Sequence, residues 1–222
     1  MELDTPLRDI AVEHPLSTRV FQRYQIDFYC AGARPLREAC RARDLDPQEV
    51  VRAIRRELSS PEPELRWDRA PLEDLIDYLV AHFHEPLREE LPRLQVLAHR
   101  AARTQGPSDP ERLIRIAETV DTLAEDLLAH MDKEEQVLFP LIRGGSLELT
   151  HTPISVMEEE HLVAAERVRS LRELTHGSLI PRPAGASWRA LWDGLERLEV
   201  ELHEHIHLEN NVLHRRARAQ AG

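Results

Sequence analysis

His130-Met131-Asp132-Lys133-Glu134 followed by Val137-Leu138, and His205-Ile206-His207-Leu208-Glu209 followed by Val212-Leu213, are one phrase written twice. Each reads H-x-x-x-E, with a Val-Leu pair three residues after the Glu. Each also lies in an apolar seam at helical spacing. The first seam runs Leu123, Leu127, His130, Glu134, Leu138, Leu141, and the second runs Leu195, Leu198, Leu202, His205, Glu209, Leu213. Residues four apart share one face of a helix, so the flanking leucines turn each His and Glu towards a core. An ionised carboxylate in a core is costly unless it is paired or coordinates a metal. A buried His–Glu hydrogen bond would explain one copy as packing. Two matching copies point to metal coordination.

The rest of the chain repeats with the phrase. Pro71 opens a long helix whose inner stripe is Leu72, Ile76, Leu79, Phe83, Leu87, Leu91 and Leu94. Asp109-Pro110 caps a second helix that stops at Gly144-Gly145, with Pro140 expected to bend or loosen its last turn. Thr152-Pro153 is expected to cap a third, carrying Met157, His161, Ala164, Val168 and Leu171 on one face, and Ser187 a fourth that runs almost to the end. The first and third helices each offer a lone inward His, and the second and fourth each offer H-x-x-x-E. The offsets agree: 75 residues separate His130 from His205, and 77 separate His84 from His161. The expected fold is all-α, with two αα-hairpins forming an up-down-up-down four-helix bundle over residues 71–219. Residues 1–62 read as a separate unit of four short helices starting near Thr5-Pro6, Pro15, Pro35 and Asp46-Pro47, with a linker at Ser59-Ser60-Pro61-Glu62-Pro63.

Composition bounds the function. The 222 residues are 41% apolar and 31% charged, with a net charge of −11. So acidic a surface argues against nucleic acid and anionic membranes as partners. Two cysteines, Cys30 and Cys40, make no disulfide framework. The first residues lack the basic and apolar regions of a signal peptide, and no stretch has the 18 or so apolar residues of a membrane span. A cytoplasmic protein, monomeric or homodimeric, is expected.

The ligand set is His130, Glu134, His161, His205 and Glu209, with either His82 or His84 from the first helix, since both flank its stripe. Four imidazoles and two carboxylates exceed one tetrahedral zinc and suit two metals roughly 3–4 Å apart. Each metal would take two His, and the two Glu would bridge. Mixed imidazole and carboxylate ligation favours iron first and manganese second. Asp126, Glu160 and Glu201 are expected as outer partners of the ligands or as entry-channel residues. Glu135 lies off the seam, aligns with Asn210 and is left out. His203 and His207 are read as surface residues, and His214, aligned with Phe139, as packing.

With these residues laid out, the chain resembles the haemerythrin-like HHE domains. More narrowly, His130–Pro140, Pro153–His161 and His205–Leu213 look like the di-iron iron–sulfur cluster repair (RIC) proteins of the YtfE and ScdA type. Tyr24 and Asp27-Phe28-Tyr29-Cys30-Ala31-Gly32 look like the small ScdA-type N-terminal domain of that family. The resemblance selects His84, because the family's His lies in an aromatic-His-acidic step like Phe83-His84-Glu85. It implies a non-haem di-iron centre, oxo-bridged when oxidised. It also implies a stress protein that restores iron–sulfur clusters damaged by nitric oxide or oxidants, by supplying iron to the damaged proteins. Two other functions use the same ligands: binding or sensing of nitric oxide or oxygen, and reduction of nitric oxide. The family often has adjacent cysteines and two glycines where this chain has Cys30-Ala31-Gly32. That leaves Cys30 as a single possible thiol.

Overall fold

The structure, a computed structural model, describes residues 1–59, 65–105, 110–176 and 186–221. The chain is all-α: among these residues the regular structure is helical, apart from one isolated antiparallel bridge, Pro6–Pro35. Most of the expected linker, and the expected loops near 106–109 and 177–185, lie outside the described residues.

The N-terminal unit has four short helices: α1 (Leu7–Glu13), α2 (Ser17–Arg23), α3 (Leu36–Arg41) and α4 (Pro47–Glu57). They close over Leu7, Ile10, Val20, Phe21, Phe28, Leu36, Val50 and Ile54. α4 starts as its sequence dictates, with Asp46 accepting from the Gln48 N–H at 2.9 Å and Pro47 in the first turn. α1 starts one residue later than its proline suggests. Pro6 is extended because the chain pairs there with the segment before α3: Leu7 N–H donates to Arg34 O and Leu36 N–H to Thr5 O.

Four rods follow. The first is α5 (Leu72–Leu79), a π-helical turn (Val80–His84) and α6 (Glu85–Gln105). The second is α7 (Pro110–Lys133), a π-helical turn (Glu134–Leu138) and α8 (Phe139–Arg143). The third is α9 (His151–His176), and the fourth is α10 (Ala186–His207), a π-helical turn (Leu208–Leu213) and α11 (His214–Ala221). α9 begins before the expected Thr152-Pro153 cap, because the Thr150 carbonyl already accepts from Ile154 N–H. Pro153 then sits in the first turn, where no donor is missed. Ser187 likewise lies inside α10.

α6 packs against α7 and α10, and α9 against the same two, so the rods close a ring. Two apolar clusters fill it. One contains Leu94, Leu123, Leu127, Val168, Leu171, Leu195 and Leu202. The other contains Leu75, Ile76, Leu79, Phe139, Ile142, Met157, Val212 and Leu213. Rods one and three run from the second cluster to the first, and rods two and four run back. Between the clusters lies a buried polar layer: His84, His130, Glu134, His161, His205 and Glu209.

The C-terminal helix α11 is clasped to α9. Arg218 donates through both terminal nitrogens to the Glu158 carboxylate, at 2.7 and 2.9 Å. Burial opposes ionisation of Glu158, but His214 and Arg218 outweigh it and hold the carboxyl at about 2, below its ordinary 4.5. The clasp is therefore complete above pH 4.5 and is lost as pH falls towards 2. Glu158→Gln should lower stability in urea unfolding by about 1–2 kcal/mol at pH 6, allowing for solvent screening. The difference from wild type should shrink as pH falls below about 4.5.

Candidate metal centre

Three of the four rods widen at the polar layer. Glu85 N–H bonds to Val80 O, Phe139 N–H to Glu134 O and His214 N–H to Glu209 O, each reaching back five residues instead of four. Such a turn inserts one residue and re-aims the side chains around it. Two of the three are followed, one residue on, by proline, Pro86 and Pro140. Proline has no N–H to give and crowds the carbonyl four residues back, and a widened turn relieves both. Pro140 thus acts on the turn before it, not on the last turn of its rod.

The six predicted ligands form two groups that share both carboxylates: His84, Glu134, His205, Glu209, and His130, Glu134, His161, Glu209. Within each group the candidate ligand atoms lie within 4.8 Å of one another. The Nε2 atoms of His84 and His205 face each other at 3.1 Å, and those of His130 and His161 at 3.0 Å. Glu134 Oε2 is 3.4 Å from Nε2 of both His84 and His130. Glu209 spans the other pair, 2.8 Å from His205 Nε2 and 3.1 Å from His161 Nε2. His82 is exposed, stacked on Tyr78 with its Nδ1 at 3.1 Å from the Tyr78 carbonyl. The first rod therefore contributes His84.

Behind three of the four imidazoles stands a hydrogen-bond acceptor. His84 Nδ1 donates to Glu135 Oε1 and His130 Nδ1 to Glu160 Oε2, both at 2.9 Å. His161 Nδ1 donates to Asn210 Oδ1 at 2.8 Å. A ring that keeps its proton on Nδ1 can offer the Nε2 lone pair to a metal, and these Nε2 atoms converge on one another and on two carboxylates. Two ligands at about 2.1 Å from one ion and at right angles lie about 3.0 Å apart, which is the spacing found. The donor set, nitrogen and oxygen without sulfur, fits a di-iron centre.

The electrostatics agree. Burial opposes charge on His130, but Glu134, Glu209 and Glu160 outweigh it and hold its pKa at about 9, so the site favours positive charge and a bound metal would displace the Nε2 proton. Burial works against ionisation of Glu209, yet His205, His161 and His84 keep it well below the ordinary carboxylate range. Both carboxylates lie in groups of His and Glu side chains that could hold a cation.

Of the three expected outer partners, Glu160 holds a ligand. Asp126 is exposed and paired with Arg167, although it lines a cavity of about 270 Å³ that reaches His130 and His161. Glu201 is exposed, because Leu202 takes the inward position at that turn. His205 Nδ1 has no hydrogen-bond partner among the described residues. Phe83 stacks on the His205 ring instead, centroids 5.0 Å apart. Glu135 and Asn210, each directly after a ligand Glu, are the partners that seam reasoning missed, and their adjacency in the repeat was the available signal.

His203 and His207 are buried, not surface, because the N-terminal unit covers them. Tyr29 stacks on His203 at 3.8 Å, and Phe28 packs on His207 at 5.2 Å. Burial, aided for His203 by Arg172, pushes both down to about 3. Cys30 is half-buried with Sγ 3.9 Å from the His161 carbonyl. Burial and the Asp27 charge push its thiol up to about 12, so it is not a thiolate at neutral pH.

Glu134→Leu or Glu209→Leu should lower iron content below two per chain, measured by metal analysis of protein loaded anaerobically. Two irons retained in both variants would exclude bridging. His82→Ala should keep its metal and His84→Ala should lose it.

The Hemerythrin HHE cation binding domain matches residues 75–217. ScdA_N, a domain of unknown function (DUF542), matches residues 3–57. The chain is 37% identical to the Iron-sulfur cluster repair protein YtfE of Edwardsiella ictaluri, over 96% of both chains. It is equally identical to proteins of that name from Pectobacterium carotovorum, over 96% of each chain, and Escherichia coli, over 97% of each. These matches run the length of the chain and include the polar layer of the bundle: the chain belongs to the YtfE family of iron–sulfur cluster repair proteins, built on a haemerythrin HHE cation-binding domain.

Proposed function

We propose that this chain restores iron–sulfur clusters damaged by nitrosative or oxidative stress, by holding two irons on His84, His130, Glu134, His161, His205 and Glu209 and giving iron to the damaged protein. One observation carries this reading: two buried ligand groups that share Glu134 and Glu209. Bound iron supplies Lewis acidity and a one-electron couple. The residues supply the rest. Both carboxylates are shared, so a change at either one loosens both positions at once. Glu135, Glu160 and Asn210 hold three imidazoles in the tautomer that can bind. The way outward would be the cavity beside His130 and His161, where Asp126 and Glu160 are each paired with a cation, Arg167 and Lys133.

A second reading has support in that same cavity. Leu127, Ala129, Val163 and Ala164 make part of its wall apolar, which suits a small uncharged gas such as nitric oxide or oxygen. Under that reading the centre binds the gas, or turns it over.

Incubating iron-loaded protein anaerobically with an apo iron–sulfur protein separates these functions. Donation predicts that iron leaves this chain as cluster absorption grows in the acceptor. Iron that stays bound while the acceptor remains apo would sink donation. Nitric oxide bound tightly without turnover would then favour the binding module, and many nitrous oxide molecules per chain would favour the reductase.

A further inference from the structure

Three of the ligand imidazoles meet an aromatic ring outside the ligand set, and only one of these contacts leads outward. His84 stacks on Phe139 with centroids 5.6 Å apart, and His161 stacks on His214 at 6.1 Å. Phe139 and His214 are buried and touch no further ring among the described residues, so both contacts stop in the core. His205 stacks on Phe83 at 5.0 Å, with the two planes 3° apart. From Phe83 the contacts continue. Tyr78 meets it edge-on at 5.9 Å, and Trp67 packs on Tyr78 at 4.6 Å. Phe83 is buried, whereas Tyr78 and Trp67 are half-buried and line one cavity of about 60 Å³ between the N-terminal unit and the bundle. Arg216 donates to the Trp67 carbonyl at 2.6 Å, which holds the outermost member of the row in place.

The duplication shows that a ligand helix does not require such a row. The offset that relates His84 to His161 places Ser155 where the first rod has Tyr78, and Glu160 where it has Phe83. The third rod thus carries its His with no ring behind it on its own helix. The order of the rings in the first rod also has a chemical sense. Indole and phenol give up an electron far more readily than imidazole, carboxylate or benzene. The two oxidisable rings stand outermost, where water and small reductants reach them. Phe83, which is not oxidised, fills the gap between them and the ligand and gives the electron continuous π contact across it.

We propose that Phe83, Tyr78 and Trp67 form an electron path by which oxidising equivalents leave the metal centre by way of His205, so that oxidants met at the centre are quenched at the surface and not on the ligands. The path rests on the metal-centre reading above. Reduction of hydrogen peroxide to two waters takes two electrons and two protons. A chain left with a single iron(II), as after donation of the other, supplies one electron as that iron becomes iron(III). Tyr78 supplies the second across Phe83: its phenol loses one electron, releases its proton to water and is left as a neutral phenoxyl radical. Solvent gives the other proton. Trp67 restores Tyr78 by passing on one electron and one proton. A soluble thiol restores Trp67 in the same way, and two spent thiols join as a disulfide. Without the path the second electron is drawn from the nearest side chains, which are the ligand imidazoles.

The test mixes the full chain, loaded with one iron(II) under argon, with limited hydrogen peroxide. Samples frozen within milliseconds are read by electron paramagnetic resonance, with iron counted and oxidised peptides mapped on the same material. Wild type should give a tyrosyl or tryptophanyl radical, with oxidation mapped to Tyr78 and Trp67, and metal-free chain should give neither. Tyr78→Phe combined with Trp67→Phe touches no ligand and should keep its iron. Its radical should be lost, and oxidation should move to His205 and His84. Phe83→Leu keeps both oxidisable rings, and its radical should form more slowly per iron bound. Tyr29→Phe should behave as wild type, because Tyr29 stacks on His203, which is not a ligand. A radical that survives the double substitution, forms equally fast in Phe83→Leu or appears without metal would overturn the path. So would an iron-loaded wild type whose oxidation falls on the ligands, with the metal centre left standing. A wild-type chain that takes up no iron would overturn both.

Discussion

Two carboxylates with no exposed surface, Glu134 and Glu209, lie at the middle of a four-helix ring. An uncompensated charge in that place is prohibitive, and one partner per charge seldom suffices. The surrounding architecture answers this. Four imidazoles converge on the pair, one from each rod, and the apolar core is divided in two so that a polar layer can cross it. The rods are long because each must build a hydrophobic contact on both sides of that layer. Three of them change helical pitch there, which lets residues flanking a ligand face inward where a regular helix would turn them out.

The two halves of the bundle are copies in sequence but not in chemistry. Where Glu160 backs His130, the related position behind His205 is Phe83. Where Glu135 backs His84, Asn210 backs His161. Phe139 stacks on His84, and its counterpart His214 stacks on His161. Every ligand survives the duplication, while the residues behind the ligands diverge. Each metal position therefore has one imidazole backed by a carboxylate and one that is not, and the uncharged backing differs: an amide on one side, a benzene ring on the other. Ligand basicity follows such partners, so the positions are chemically distinct despite identical ligand types.

The inner faces of the rods were legible because helical periodicity and duplication both mark them. Leu123, Leu127, Leu202 and Leu213 announce where His130, Glu134, His205 and Glu209 point. What lay off the seam was not legible. Glu135 and Asn210 act across to a neighbouring rod, a relation that spacing within one helix does not carry. His203 and His207 look like surface residues in their own helix and are buried only because Phe28 and Tyr29, far away in sequence, cover them. The widened turns left a trace in Pro86 and Pro140, but the one in the fourth rod has no proline and no local sign. Choosing His84 over His82 needed family resemblance, since both flank the same stripe.

The N-terminal unit is joined by its chain to the first rod but rests on the third, through Cys30 on the His161 carbonyl, and on the fourth, through Gln22 on the Val200 carbonyl, Tyr29 on His203, and Asp9 on Arg215. Attachment and contact are thus separate. If the contact opens, the unit does not diffuse away, because the tether keeps it at an effective concentration on the order of millimolar near its seat. Closing is then an intramolecular event whose equilibrium is independent of how much protein the cell holds. An arrangement of this kind works the same at one copy per cell as at thousands.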